Sequence, residues 1–188
     1  MTSVRVFEWT RLVGSYEYDY GRSVTSGSDG SIYITGTVVD LDGQTRNGDN
    51  DAFVSKFNSD GEKQCTQLIG SSSSEQGYGI TSGSDGSIYI TGGTSGDLDG
   101  QTNSGNSDVF ISKFSSDGDK QWTKLLGSSD LDKAHALTTG LDGSIYIAGY
   151  TFSDLDGQTN SGDADAFITK YNPDGTKDWT KLLGSSSS

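Results

Sequence analysis

The stretch "ALTTGLDGSIYIAGYTFSDLDGQTNSGDADAFITKYNPDGTKDWTKLLG" at 136–184 decides the fold. With His135 before it, it holds four runs of about five to eight residues: "HALTT", "SIYIAG", "DAFITKYN" and "DWTKLLG". They are rich in β-branched and aromatic side chains, and both length and composition are those of strands. Leu141-Asp142-Gly143-Ser144 separates the first two runs, and Pro173-Asp174-Gly175 the last two. Asp-Gly between apolar runs signals a tight hairpin, because glycine supplies the positive φ such turns require. The four runs read as a four-stranded antiparallel meander.

Working outward, the same unit recurs. "DLDGQT" stands at 40–45, 97–102 and 154–159, a spacing of 57 residues each time. The hairpin signals recur at Asp29-Gly30 and Asp85-Gly86, and at Asp60-Gly61 and Asp117-Gly118. Self-similarity at such a period marks a repeat architecture. Ile32, Tyr33 and Ile34 are all large, so both faces of the strand they form are to be buried. No apolar pattern with a 3.6-residue period persists, so helix is expected to be minimal. The fold class expected is all-β: a β-propeller of four-stranded antiparallel blades in three repeats of about 57 residues. An open β-solenoid is the alternative architecture, but four strands are too many for one coil. The boundaries expected are an N-terminal outer strand and link at 1–19, blades at 20–70, 77–127 and 134–184, and a tail at 185–188.

Composition bounds the partners. The 188 residues contain 27 glycines and one proline, and carry a formal charge of −13. That field repels phosphate backbones and anionic lipid, and no Lys/Arg cluster offsets it, so nucleic-acid binding is not expected. The opening "MTSVRVFEWT" has no long apolar run, so neither a signal peptide nor membrane insertion is expected of this chain. Cations and neutral ligands such as glycans fit the charge. Cys65 is the single cysteine and stands where the other copies have Trp9, Trp122 and Trp179, which reads as a small buried hydrophobe.

The pattern W-T-x-L-x-G-S, then D-G-S-I-Y-I-x-G, then D-A-F-x-x-K-[FY]-x-x-D-G-x-x-x-W resembles the bacterial β-propeller repeat family known as SBBP. The resemblance covers essentially the whole chain. It implies a propeller within a large secreted or cell-surface protein, and it implies no particular enzymatic activity.

In a meander, the loop between the second and third strands shares one end of the blade with the link to the next blade. "DLDGQT" and the links "GSYEYD" at 14–19, "GSSSSE" at 70–75 and "GSSDLD" at 127–132 therefore gather on one face. Asp154, Asp156, Gln158, Asn160 and Asp165 fall at positions one, three, five, seven and twelve of a loop. Alternating oxygens at that spacing suit calcium, which takes six to eight oxygen ligands. The second copy offers Asp97, Asp99, Gln101, Asn103 and Asp108. The first offers Asp40, Asp42, Gln44 and Asp51, with Arg46 in place of asparagine. The glycine sits at position four, not at the sixth position of an EF-hand. The competing reading is that Asp and Asn fold the loop through bonds to nearby backbone amides. A bound calcium would be structural.

His135 is the only histidine, and its equivalents are Arg22 and Tyr78. No nucleophile or further nitrogen and sulfur ligands accompany it, so it reads either as a lining residue near the propeller axis or as an exposed strand end. Tyr16, Tyr18 and Tyr20 in "SYEYDY" interrupt the serine pattern and are a candidate ligand or partner contact, as are Arg22 and Tyr78. Paired carboxylates abound, but a glycosidase needs two carboxyls in unlike environments, which near-identical repeats do not produce. No enzyme is expected. The function expected is a binding or assembly module, with a multivalent lectin bearing one site per blade as the alternative.

Three blades do not surround an axis. Closure by a homodimer into six blades, or by neighbouring blades of a longer chain, is therefore expected. "VFEWTRLVG" at 6–14 has the sequence of a fourth strand with no blade before it. It is expected to compete for the outer edge of the other copy's last blade.

Overall fold

A computed structural model describes residues 9–186; the part of the N-terminal strand-like stretch before Trp9 lies outside the described residues. Twelve strands follow one another: β1 (Tyr20–Ser26), β2 (Ile32–Val38), β3 (Asp51–Phe57), β4 (Lys63–Ile69), β5 (Glu75–Ser82), β6 (Ile88–Thr94), β7 (Asp108–Phe114), β8 (Lys120–Leu126), β9 (Asp132–Thr139), β10 (Ile145–Thr151), β11 (Asp165–Tyr171) and β12 (Lys177–Leu183). They form three four-stranded sheets in sequence order, β1 to β4, β5 to β8 and β9 to β12, antiparallel throughout. Among the described residues there is no helix. The protein is three consecutive blades of a β-propeller.

The hairpin chemistry is local. Gly30, Gly86 and Gly143 take φ of 82°, 81° and 79°. In each Asp-Gly-Ser turn the aspartate accepts from the serine amide two residues on, as in Ser31 N to Asp29 Oδ1 at 2.9 Å, and the serine hydroxyl adds a second bond.

Pleat alternation then sorts side chains between neighbouring blades. On β6, Ile88 and Ile90 cluster with Tyr33, Val54 and Ile69 of the first blade. Tyr89, between them, joins Val109, Ile111 and Leu126 against Ile145, Ile147 and Phe167 of the third blade. Blade 2 is covered on both sides, and every residue of β6 is buried. Burial of each such side chain is worth about 1.5–3 kcal/mol, so the junctions hold the molecule together.

The second and third blades begin two residues earlier than their spacing predicts. The reason is a backbone clasp: Glu75 N donates to Asn50 O at 2.8 Å and Asp132 N to Ser107 O at 2.7 Å. Each clasp extends a parallel bridge from one blade to the next, Asn50 with Ser74 and Ser107 with Leu131. The outer strands interlock too. Cys65 lies against Gly118 and Trp122 against Gly175, each glycine being in the last hairpin of the following blade. Cys65 is half-buried, not buried, and burial pushes its thiol up, so it is not an activated nucleophile.

Each innermost strand carries a β-bulge. Register slips between Gly21 and Ser23, between Gly77 and Gly79, and at the corresponding place on β9, which leaves Arg22, Tyr78 and His135 unpaired. The bulge bows the inner strand onto Gly36, Gly92 and Gly149 of its neighbour. A Cβ there would stand 1.7, 1.8 and 1.9 Å from the carbonyl oxygens of Tyr20, Gln76 and Lys133. Gly92→Ala should therefore cost about 2 kcal/mol or more through forced backbone displacement. Gly21→Ala, with nothing within 4 Å of the new methyl, should be neutral or stabilise by up to about 1 kcal/mol. Urea unfolding midpoints of the two variants check this; equal midpoints would refute the bulge constraint.

Candidate functional site

The two ends of the blades differ in kind. One carries the short hairpins; the other carries the long loops and the links between blades. On the second end, "LDGQ" is itself a miniature hairpin. Leu41 and Gln44 exchange backbone bonds of 3.4 and 2.9 Å, and Leu98 with Gln101 and Leu155 with Gln158 do the same. The central residues Asp42 and Gly43 have φ of 58° and 74°, the two positive values of a type I′ turn, and aspartate is among the few side chains that tolerate that region. Leu41, Leu98 and Leu155 are buried and anchor the loop in the junction cores.

The loop's oxygens are distributed among partners within the chain. Asp40, Asp97 and Asp154 each accept from the amide six residues on, at 3.2, 2.9 and 2.9 Å. Asp42, Asp99 and Asp156 pair with Lys63, Lys120 and Lys177, the first residues of the outer strands. Burial works against ionisation of Asp99, but Lys120 and the Thr123 hydroxyl hold its carboxyl below the usual range. Gln44 and Gln101 reach across to the carbonyls of Thr66 and Thr123. Asn103 and Asn160 each donate to the end of the second strand and accept from the glycine two residues on. Arg46, in the place of those asparagines, donates to Asp49 O at 2.8 Å. Among the described residues no group of three or more His, Cys, Asp or Glu side chains is arranged to hold a metal ion. The spacing that suggested calcium is used to fold the loop.

The last acid of each loop behaves differently. Asp51, Asp108 and Asp165 are at most 1% exposed, and each accepts from the backbone amide four residues before it. The clasp brings Glu75 beside Asp51 and Asp132 beside Asp108, and both partners are fully buried. Glu75 is satisfied by Ser71 and Thr94. Burial pushes Asp51 up to about 6, against the bond from Asn47 and with help from the Glu75 charge. Burial likewise raises Asp108 and Asp132. The repeated acid closing each link, Glu75 or Asp132, was visible in "SSSSE" and "SSDLD", but only the clasp makes it half of a pair.

The bulges build a surface where aromatic and cationic groups from all three blades collect. The Arg22 guanidinium lies 4.9 Å from the Tyr78 ring centre and 5.5 Å from that of Tyr20. Tyr78 and His135 are 4.7 Å apart, His135 and Tyr150 5.5 Å, and Tyr150 and Phe152 5.6 Å. Lys133 sits 5.8 Å over Tyr78. These separations are those of stacked rings and cation–π contacts. Burial, with the Lys133 and Arg22 charges, lowers His135, so the imidazole is neutral at pH 7. Tyr20, Arg22, Tyr78 and His135 are thus brought together, whereas Tyr16 and Tyr18 stand apart on the first link, both exposed. Lys133, Tyr150 and Phe152 were not singled out by the sequence; they join the strip because strand alternation carries them to the bulge side.

Residues 141–180 match the family model described as a domain of unknown function (DUF5122) β-propeller. The regulatory protein FlaEY of Caulobacter vibrioides is 31% identical over 172 residues, covering 82% of this chain and 18% of that protein. The chain thus spans less than a fifth of that relative's length. The crystal structure of a protein of unknown function from Bacteroides caccae is similar with a TM-score of 0.48 at 9% identity, over 88% of this chain and 47% of that one.

The junction acids make stability depend on pH. The folded-state value of Asp51, about 6, lies above its ordinary 3.8, so stability from its neutral form is full below about pH 4 and is lost as pH rises through 6. Asp51→Asn, permanently neutral, should melt higher than the parent at about pH 7.5, and the difference should vanish by about pH 4. Thermal melts across that range check it; a pH-independent difference would contradict the assignment.

Proposed function

We propose that this chain is a non-enzymatic β-propeller binding module whose ligand sits on the axial strip of Arg22, Tyr78 and His135. The observation that carries the reading is the bulge. Three nearly identical blades each present one unpaired side chain at the same place, and there alone the repeated frame displays an arginine, a tyrosine and a histidine in ring contact. Arg22 and Lys133 have no ion pair among the described residues, although the chain has twice as many acids as bases. Two unneutralised cations over flat rings suit a peptide segment bearing a carboxylate beside an aromatic or apolar side chain.

The likeness to FlaEY, a regulatory protein, supports binding over catalysis. The SBBP resemblance adds a bacterial surface or secreted setting to the proposal. A lectin site on the acidic end has less support, because the Asp and Gln side chains there are engaged in folding the loop.

The test is a peptide array of acidic-aromatic, basic and neutral sequences, run beside a glycan array with and without calcium. Acidic-aromatic peptides should be retained, and Arg22→Glu or Tyr78→Ala should weaken them at least tenfold. Retention of glycans alone, or peptide binding indifferent to both substitutions, would sink the reading.

A further inference from the structure

The two open flanks of the blade array are complementary halves of one junction. On the last blade, Leu183 is 66% exposed, whereas Ile69 and Leu126 at the same place are 0% and 6% exposed because the next blade covers them. On the first blade, Val24 is 64% exposed, whereas its counterpart Ile80 is 6% exposed and Leu137 packs into the junction core.

The hairpin of the first blade is nevertheless occupied. Gly61 corresponds to Gly118 and Gly175, which receive Cys65 and Trp122 from the preceding blade; Gly61 receives Trp9, which also stacks on Phe57 with ring centres 6.4 Å apart. Arg11 donates to Gly61 O at 2.9 Å, and Val13 packs on Val38, Leu41 and Phe53. Trp9, Arg11 and Val13 stand where Trp122, Lys124 and Leu126 stand two junctions later. Residues 9–14 do this without belonging to any strand. In the single chain this segment is therefore a place-holder on its own first blade, filling the position an outer strand of a preceding blade would take.

We infer that a second copy of this chain closes the propeller, its Trp179, Lys181 and Leu183 displacing Trp9, Arg11 and Val13 from the first blade. Lys181 then lies over Gly61 beside Asp60 as Lys124 lies over Gly175 beside Asp174, so a cation meets an acidic hairpin at the new junction as at the old. The exchange swaps a segment outside any strand for an outer strand of the same sequence pattern, and the incoming strand belongs to a complete sheet and brings Leu183 under cover. Applied at both junctions by a twofold axis, it makes a ring of six blades, within the range of known propellers. It also completes the axial site. Tyr78 follows Arg22 and His135 follows Tyr78 around the axis, so the next residue beside His135 is Arg22 from the second copy. That consequence rests on the axial reading proposed above.

Sedimentation velocity of the full chain across micromolar concentrations, without ligand, tests the closure. The parent should reach a limiting mass of two chains. Trp9→Ala with Val13→Ala loosens the place-holder and should lower the dimer dissociation constant at least tenfold. Leu183→Asp, at a position exposed in the single chain, should raise it at least tenfold while far-UV circular dichroism stays unchanged. A single-chain mass for the loosened variant at every concentration, or masses growing past two chains, would overturn the inference. Mass is read without ligand, so closure and axial binding fail separately.

Discussion

A four-stranded sheet with apolar side chains on both faces cannot stand alone in water. Every other feature of this protein follows from that constraint. It forces blade upon blade, and it explains why Ile88 and Ile90 serve one junction while Tyr89, between them, serves the next. A two-layer sandwich would bury only one face of each sheet and leave the other wet. Stacking around an axis buries both, and the cost is a pair of flanks at the ends of any open array.

The junctions are not purely apolar. Ser55 with Thr66 and Ser112 with Thr123 are hydroxyl pairs of 2.8 Å between the third and fourth strands, and Thr169 with Thr180 is one of 3.1 Å. Thr35 and Thr91 donate to the carbonyls of Phe53 and Phe110. Buried hydroxyls that find partners cost little and reject alternative registers, since a one-residue slip would leave them unpaired. The charge of −13 is handled by the same economy: loop acids are tied to lysines or amides, and burial drives Asp51, Asp108 and Asp132 toward their neutral form.

Repetition separates frame from content. The bulge, the glycine facing it and the clasp recur in all or most blades because they are backbone requirements. The side chain projected by the bulge has no such duty and differs each time: arginine, tyrosine, histidine. A repeated acidic loop draws the eye in the sequence, yet it does the repetitive work of folding; the unrepeated residues are the ones left free to recognise something.

By itself the sequence determined what depends on neighbours along the chain. Asp-Gly-Ser specifies its turn through bonds two residues long, and the alternation of Ile-Tyr-Ile specifies a strand with two buried faces, so blade number, strand order and hairpin type were legible. In the loops the same locality left two readings open. Oxygens at one, three, five, seven and twelve fit an ion in outline, but spacing does not say where a side chain points, and Asp99 turns to Lys120, 21 residues on. Only the tertiary structure decided contacts across junctions: the pairing of Asp51 with Glu75, the gathering of Lys133 and Tyr150 beside His135, and the lodging of Trp9 on Gly61. Those depend on the rotation from one blade to the next. It is set by how whole sheets pack, and no window of sequence contains it.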